Sequence, residues 1–144
     1  MSGVRSMARA RLLCCLLFAL PVASFSQGKY ISGEFKGFTI NEPVINKLEK
    51  DFTVAKIKGQ VVFRDDDGAP MKDVLFELQG PGETQKIRSA ITNEDGIFEI
   101  RNVAEGVFKF KASAVGYDAI AGKVIVSKSA KHPDHIRICL QPGF

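Results

Sequence analysis

Apolar and polar residues alternate in short runs along most of the chain from residue 55 onward. In Val107–Ala114, phenylalanines and alanines alternate with lysines and a serine. A period of two places alternate side chains on a buried and on a solvent-facing side of a strand. Seven such runs are separated by residues typical of turns: Lys56–Phe63, Asp73–Gln79, Lys86–Thr92, Ile97–Arg101, Val107–Ala114, Ala119–Val126 and His135–Gln141. Their number and spacing predict an all-β fold, a seven-strand antiparallel Greek-key sandwich spanning residues 55–142.

The N-terminal segment has the three-part pattern of a secretory signal peptide. Met1–Arg11 is basic, Leu12–Leu20 is an unbroken apolar run, and small residues follow Pro21. We expect residues 1–26 to be removed by cleavage after Ser24 or Ser26. Nine apolar residues extend about 14 Å, against a hydrocarbon core of about 30 Å, so no stable membrane span is expected after cleavage. The sequence therefore predicts a secreted or periplasmic protein, of bacterial type.

The basic charge of the chain belongs mostly to this segment. The whole sequence has 20 Lys+Arg against 16 Asp+Glu, a net charge of +4. Without the segment's three arginines the balance is 17 against 16. A nearly neutral domain gives no electrostatic reason to expect a nucleic-acid partner.

Cys139 is the one cysteine outside the predicted signal peptide, so no internal disulfide is expected. The period of two places it with Arg137 and Gln141, opposite the apolar residues of the last strand. In an oxidising compartment a half-exposed thiol at Cys139 offers an intermolecular cross-link. The alternative is a thiol shielded by a neighbouring strand or by the N-terminal extension.

Residues 27–54 form an N-terminal extension that glycines and Pro43 interrupt. Val44–Phe52 carries apolar residues at a spacing that predicts one or two helical turns. We therefore expect a partly ordered segment that leads into the sandwich.

Lys58–Tyr117 resembles the carboxypeptidase regulatory-like domain. That family has a pattern of glycines and apolar strands, matched here by Gly59/Val61, Gly68/Pro70, Val74–Leu78, Thr92/Gly96/Phe98/Ile100, Gly106/Phe108 and Gly116/Tyr117. The resemblance implies a transthyretin-like (prealbumin-like, carbohydrate-binding-like) sandwich. It assigns turns to Gly68, Pro70, Gly96, Gly106 and Gly116. It also makes Tyr117 a candidate contact aromatic, with its ring over one end of the sandwich and its hydroxyl bonded to a backbone group.

Candidate chemical sites are sparse. The segment His132–His135 contains metal-binding residue types, but the sequence places no further ligand beside it. The acidic loops at Asp65–Asp67 and Asn93–Asp95 do not match a calcium-binding loop, and turn chemistry explains both. An isopeptide bond from Lys58, with Glu77 or Glu99 assisting, is not expected because these residues alternate out of phase with the apolar set. We predict no metal and no cofactor.

The same fold hosts enzymes, but their residues are not found in this sequence. Hydroxyisourate hydrolases of this fold end in Tyr-Arg-Gly-Ser, whereas this chain ends Gln141–Phe144. Intradiol dioxygenases place two His and two Tyr on iron, and here the two histidines lie only three residues apart. We therefore predict a protein that is not an enzyme.

The resemblance implies a module for protein or envelope contacts, with carbohydrate binding as the alternative. The expected partner is an unidentified protein or polysaccharide, and the oligomeric state stays open. Absence of Trp counts against a sugar platform. An exposed Tyr30 or Tyr117 ring on a concave face would favour the carbohydrate module. An open edge strand with a mobile extension would favour protein contact through strand addition.

Overall fold

The structure is a computed structural model that describes residues 35–39, 44–64, 68–81 and 86–143. The predicted signal peptide, Tyr30 and the Asp65–Asp67 loop lie outside the described residues. The strands are β1 (Ile45–Lys47), β2 (Phe52–Val54), β3 (Ile57–Phe63), β4 (Leu75–Gln79), β5 (Ile87–Ile91), β6 (Ile97–Ile100), β7 (Gly106–Ser113), β8 (Ala119–Val126) and β9 (Ile136–Leu140). Within these ranges no helix is long and apolar enough to cross a bilayer.

The strands form two sheets. A six-stranded sheet has the order β1-β8-β7-β4-β5, with β2 also paired to β8, and a three-stranded sheet has the order β6-β3-β9. The all-β sandwich is thus confirmed, and the seven predicted runs appear as β3 to β9 with bounds within two residues of those predicted. The prediction of a wholly antiparallel sandwich was wrong, because β9 runs parallel to β3, and β1 and β2 run parallel to β8. None of these pairs is joined by a hairpin turn, so no turn requires the antiparallel direction.

The predicted helical turn at Val44–Phe52 was also wrong. This segment contains β1 and leads into β2, and both extend the edge of β8. The Leu48 N–H donates to the Ala121 carbonyl at 2.8 Å, between the two short strands. Tertiary context overrides local preference here, because β8 supplies backbone partners that an isolated helical turn lacks.

Aromatic rings join the two sheets in the core. Phe76 of the six-stranded sheet stacks on Phe98 of the three-stranded sheet, with ring centroids 4.0 Å apart. Phe110 of β7 also stacks with Phe76, with ring centroids 5.5 Å apart. These side chains come from the alternating positions that the sequence pattern assigns to the inner face, and all three are fully buried.

The turn at Asn93–Gly96 connects the two sheets. The turn does not form a hairpin, because β5 belongs to one sheet and β6 to the other. The Asn93 side-chain oxygen accepts from the N–H groups of Asp95 and Ile97, each at 3.0 Å. The Asn93 side chain therefore stabilises a corner of the sandwich.

Candidate contact surfaces

The segment Phe35–Thr39, here called the strap, lies across the outer face of the six-stranded sheet. Phe38 is only 6% exposed. The Gln79 side-chain amide of β4 donates to the Lys36 carbonyl at 2.8 Å. The strap thereby covers side chains that the alternation assigns to solvent.

Two of the covered side chains are charged. Glu77 on β4 and Lys111 on β7 are directly opposite in register, and they are 4% and 0% exposed. Both contact Thr39 of the strap: its N–H donates to Glu77 Oε2 at 3.0 Å, and its carbonyl accepts from Lys111 Nζ. A buried charge needs such partners, since desolvation otherwise costs several kcal/mol.

Sequence reasoning missed this cluster, because period-two alternation distinguishes the two faces of a strand but does not reveal what covers the outer one. The sequence feature that could have indicated a covering segment is the presence of small residues on the outward face of β8. Ala119 and Ala121 of β8 are outward in register yet almost fully buried. Small side chains on an outward face leave room for a covering segment.

The extension also occupies one edge of the six-stranded sheet. Along β8, the β1 residues Ile45–Lys47 pair with Ala119–Ala121, and the β2 residues Phe52–Val54 pair with Val124–Val126. The extension therefore adds strands to its own domain, and this edge of β8 offers no free backbone ladder.

The opposite edge, formed by β5, has no strand beside it among the described residues. The Thr92 N–H donates to the Val74 carbonyl at 3.0 Å, which orients the backbone of Thr92 toward β4. In an antiparallel pair, successive residues direct their backbone N–H and C=O groups alternately toward the paired strand and away from it. The backbone groups of Ile87, Ser89 and Ile91 therefore point away from the sheet. Ile91 is 64% exposed.

Cys139 is exposed on β9, an edge strand of the three-stranded sheet. The strand alternates buried and exposed residues, and Cys139 lies opposite Val62 of β3 in register. Arg137, two residues earlier on the same face, reaches toward Gly68, where an added Cβ would lie 2.7 Å from its guanidinium. Of the two alternatives left open by the sequence, the structure favours an accessible thiol.

The turn residues assigned by the resemblance lie in connections between strands or at the start of a strand. Gly68, Gly96, Gly106 and Gly116 take positive φ values of 59°, 70°, 150° and 84°. Pro70 forms a bridge with Val62, between hydrogen bonds made by the residues on either side of it, so its missing N–H interrupts no bond.

Tyr117 contributes to packing. Its half-buried ring meets Phe63 edge-to-face at 6.0 Å and packs against the core. Its hydroxyl forms no hydrogen bond with the residues that the structure describes, so the expected backbone hydrogen bond stays a prediction. A ring packed in this way is a poor platform for a sugar.

Asp134 has a structural role. Its carboxylate accepts from the Thr53 N–H at 2.8 Å, and its own N–H donates to the Thr53 carbonyl at 2.7 Å. It thus fastens the start of β9 to β2. No group of three metal-ligating side chains occurs in the described part of the chain.

A family model matches residues 56–137, more than half of the chain. It describes the carboxypeptidase regulatory-like domain. The chain belongs to this family. The regulatory-like domain is a non-catalytic β-sandwich, and the match begins just before β3. The strap, β1 and β2 of this regulatory-like domain therefore lie outside the matched region.

None of the curated proteins matches the sequence. Three solved structures are similar in fold. The first is 3-chlorocatechol 1,2-dioxygenase from Rhodococcus opacus 1CP, with 13% identity and a TM-score of 0.43 over 74% of this chain and 70% of that one. The second is a type II cohesin–X-dockerin complex from Acetivibrio cellulolyticus, with 22% identity and a TM-score of 0.39 over 65% of this chain and 59% of that one. The third is (S)-allantoin synthase, with 16% identity and a TM-score of 0.38 over 63% of this chain and 39% of that one. At these scores, the activities of those proteins carry no inference for this regulatory-like domain.

Proposed function

We propose that this regulatory-like domain is an exported, non-catalytic module that binds an extended segment of a protein partner along β5. The observation that carries the proposal is the open β5 edge. An unpaired strand offers a row of N–H and C=O groups to an incoming chain.

The side chains of β5 support this role. Natural edge strands are commonly protected by lysines, prolines or bulges. The outward-facing side chains of β5 are Ile87, Ser89 and Ile91, and none is charged. Arg88 points to the other face, where its guanidinium donates to the Asn102 carbonyl at 3.0 Å and holds β5 to the end of β6. The strand is thus fixed in place while its edge stays open.

The extension restricts where such a partner binds. It covers part of the outer face of the six-stranded sheet and pairs with β8, so the other long edge of this sheet is already occupied. An incoming strand at β5 would extend the sheet at its free end. Its apolar side chains would pack beside Ile91, which is 64% exposed.

Site-specific photo-cross-linking in the exporting cell tests this proposal. A cross-linker at Ser89 should capture a protein partner, whereas one at Lys58, exposed on the other sheet, should not. Ser89→Pro, combined with a cross-linker at Ile91, should abolish capture, because proline removes an outward N–H without breaking the β4–β5 ladder. Ser89→Ala, which keeps that N–H, should retain it. Equal capture from Ser89 and Lys58 would overturn the proposal.

A further inference from the structure

Two lysines face each other on the outer side of the six-stranded sheet. Lys109 of β7 and Lys123 of β8 are directly opposite in register. Like charges in this arrangement destabilise a sheet. Neither ammonium group forms an ion pair with an acidic residue of the described chain. A bound anion would relieve this repulsion.

The two lysines lie in a shallow depression bounded by the strap. Phe35 lines it together with Lys109, Lys123, Lys47, Ala121 and Gly122. The Phe35 ring is half-buried and meets Phe38 edge-to-face at 6.4 Å, so its position is set by the buried end of the strap. The depression thus combines an apolar ring with two unpaired positive charges.

Acidic residues restrict the direction from which an anion can approach. Glu49 and Asp51 lie on the turn between β1 and β2 and line an adjoining groove with Lys123. Their negative charges disfavour an anion on that side of Lys123. The favourable position is therefore between Lys109 and Lys123, toward Phe35.

We propose that this depression binds a uronic-acid unit of an acidic polysaccharide. The carboxylate lies between the two ammonium groups, and the sugar ring packs against Phe35. An aromatic ring provides a flat apolar surface for such a ring, while the lysines discriminate charged from neutral sugars.

Two other anionic partners fit less well. A planar bilayer would be held away from the lysines by the strap, which lies on top of the sheet beside them. An extended acidic peptide finds no backbone to pair with, since β7 is paired on both sides and β8 pairs with β7, β1 and β2. Recognition in the depression depends on side chains alone.

Calorimetric titration of the purified protein with an oligogalacturonate tests the proposal. The matched ligand is its methyl ester, which keeps the rings and removes the charges. We expect the acid to bind and the ester to bind at least about tenfold more weakly. Lys109→Gln/Lys123→Gln should weaken binding of the acid by about tenfold, and Phe35→Ala should also weaken it. Lys58→Gln, on the other sheet, should leave binding unchanged.

A stability measurement separates a binding site from a merely structural pair. Lys109→Glu should raise the melting temperature by about 2 °C, because it replaces the repulsive pair with Lys123 by an attractive one, and should abolish binding. Equal binding of the methyl ester would overturn the proposal, as would equal or tighter binding of oligoglutamate or of phosphatidylglycerol vesicles. Absence of any oligogalacturonate binding would overturn it too. None of these results depends on the β5 edge.

Discussion

Glu77 and Lys111 occupy opposite positions on neighbouring strands, and one strap residue, Thr39, contacts both. Both charged side chains are buried although they lie on the outward face of their sheet. The strap precedes the region that the family model matches. The extension is therefore an integral layer of this particular domain, held by polar contacts that a free extension would not make.

Removal of Glu77 should destabilise the protein strongly. Glu77→Ala leaves the Thr39 N–H without its acceptor and Lys111 without the carboxylate opposite it. Breaking a buried charged arrangement by removing one partner costs about 3–5 kcal/mol. Urea unfolding measures the effect. The matched control is Glu99→Ala, on the exposed face of the other sheet, which should change the free energy of unfolding by about 0.5 kcal/mol or less.

Replacing both charges should recover much of this loss. In Glu77→Leu/Lys111→Met, neither residue leaves an uncompensated charge under the strap, and apolar replacements of similar volume are tolerated in many proteins. A double-mutant cycle by urea unfolding should therefore give a favourable coupling energy. Strict additivity of the two single changes would mean that the residues contribute independently.

The strand pattern was predictable from sequence because it depends on local alternation. Phe110 and Ala112 of β7 lie in the core and Phe108 packs against it, as their spacing indicates. The coverage of Lys111, on the opposite face, was not predictable in the same way. It depends on Thr39, which lies 72 residues away in the chain. No period in either segment encodes such a contact.

The same distinction applies to the candidate surfaces. The exposed position of Cys139 follows from the alternation of β9 alone. The repulsive pair of Lys109 and Lys123 depends on the register between β7 and β8, which a sequence pattern does not fix. The open edge at β5 likewise depends on the strand order of the sheet.

Loss of the Phe38 ring should release the strap. Its side chain is 6% exposed, and truncation of a buried phenylalanine costs about 3–5 kcal/mol. Phe38→Ala should therefore speed limited proteolysis N-terminal to Val44, before the sandwich itself unfolds. Phe35→Ala removes a half-buried ring of the same strap and should have a clearly smaller effect. Equal cleavage rates in the two variants would contradict the anchoring role of Phe38.

Oxidation should link two copies through Cys139. The thiol is exposed, and it is the one cysteine outside residues 1–26. Non-reducing electrophoresis of the purified chain without residues 1–26 after mild oxidation should show a dimer that reductant removes and that Cys139→Ser lacks. A monomer that persists under oxidant while the thiol still reacts with a small maleimide would show that two copies do not approach each other at β9.

A methyl group at Gly96 should destabilise the fold more than one at Gly116. Both glycines have positive φ, which costs an L-residue about 1–2 kcal/mol. At Gly96 an added Cβ would also lie 2.4 Å from the Val61 carbonyl oxygen and 3.0 Å from the Met71 nitrogen, whereas at Gly116 it would meet nothing within 4 Å. The Val61 backbone makes two hydrogen bonds at this point. Its N–H donates to the Gly96 carbonyl at 2.8 Å, and its carbonyl accepts from the Met71 N–H at 2.9 Å.

Urea unfolding of the two alanine variants isolates this steric contribution. Gly116→Ala should lose about 1–2 kcal/mol from backbone conformation alone. Gly96→Ala should lose at least about 3 kcal/mol, because the backbone at Val61 must move and weaken its two hydrogen bonds. Equal losses would mean that the corner between the two sheets adjusts freely. The larger loss at Gly96 would show that the close approach of the turn to β3 requires glycine there.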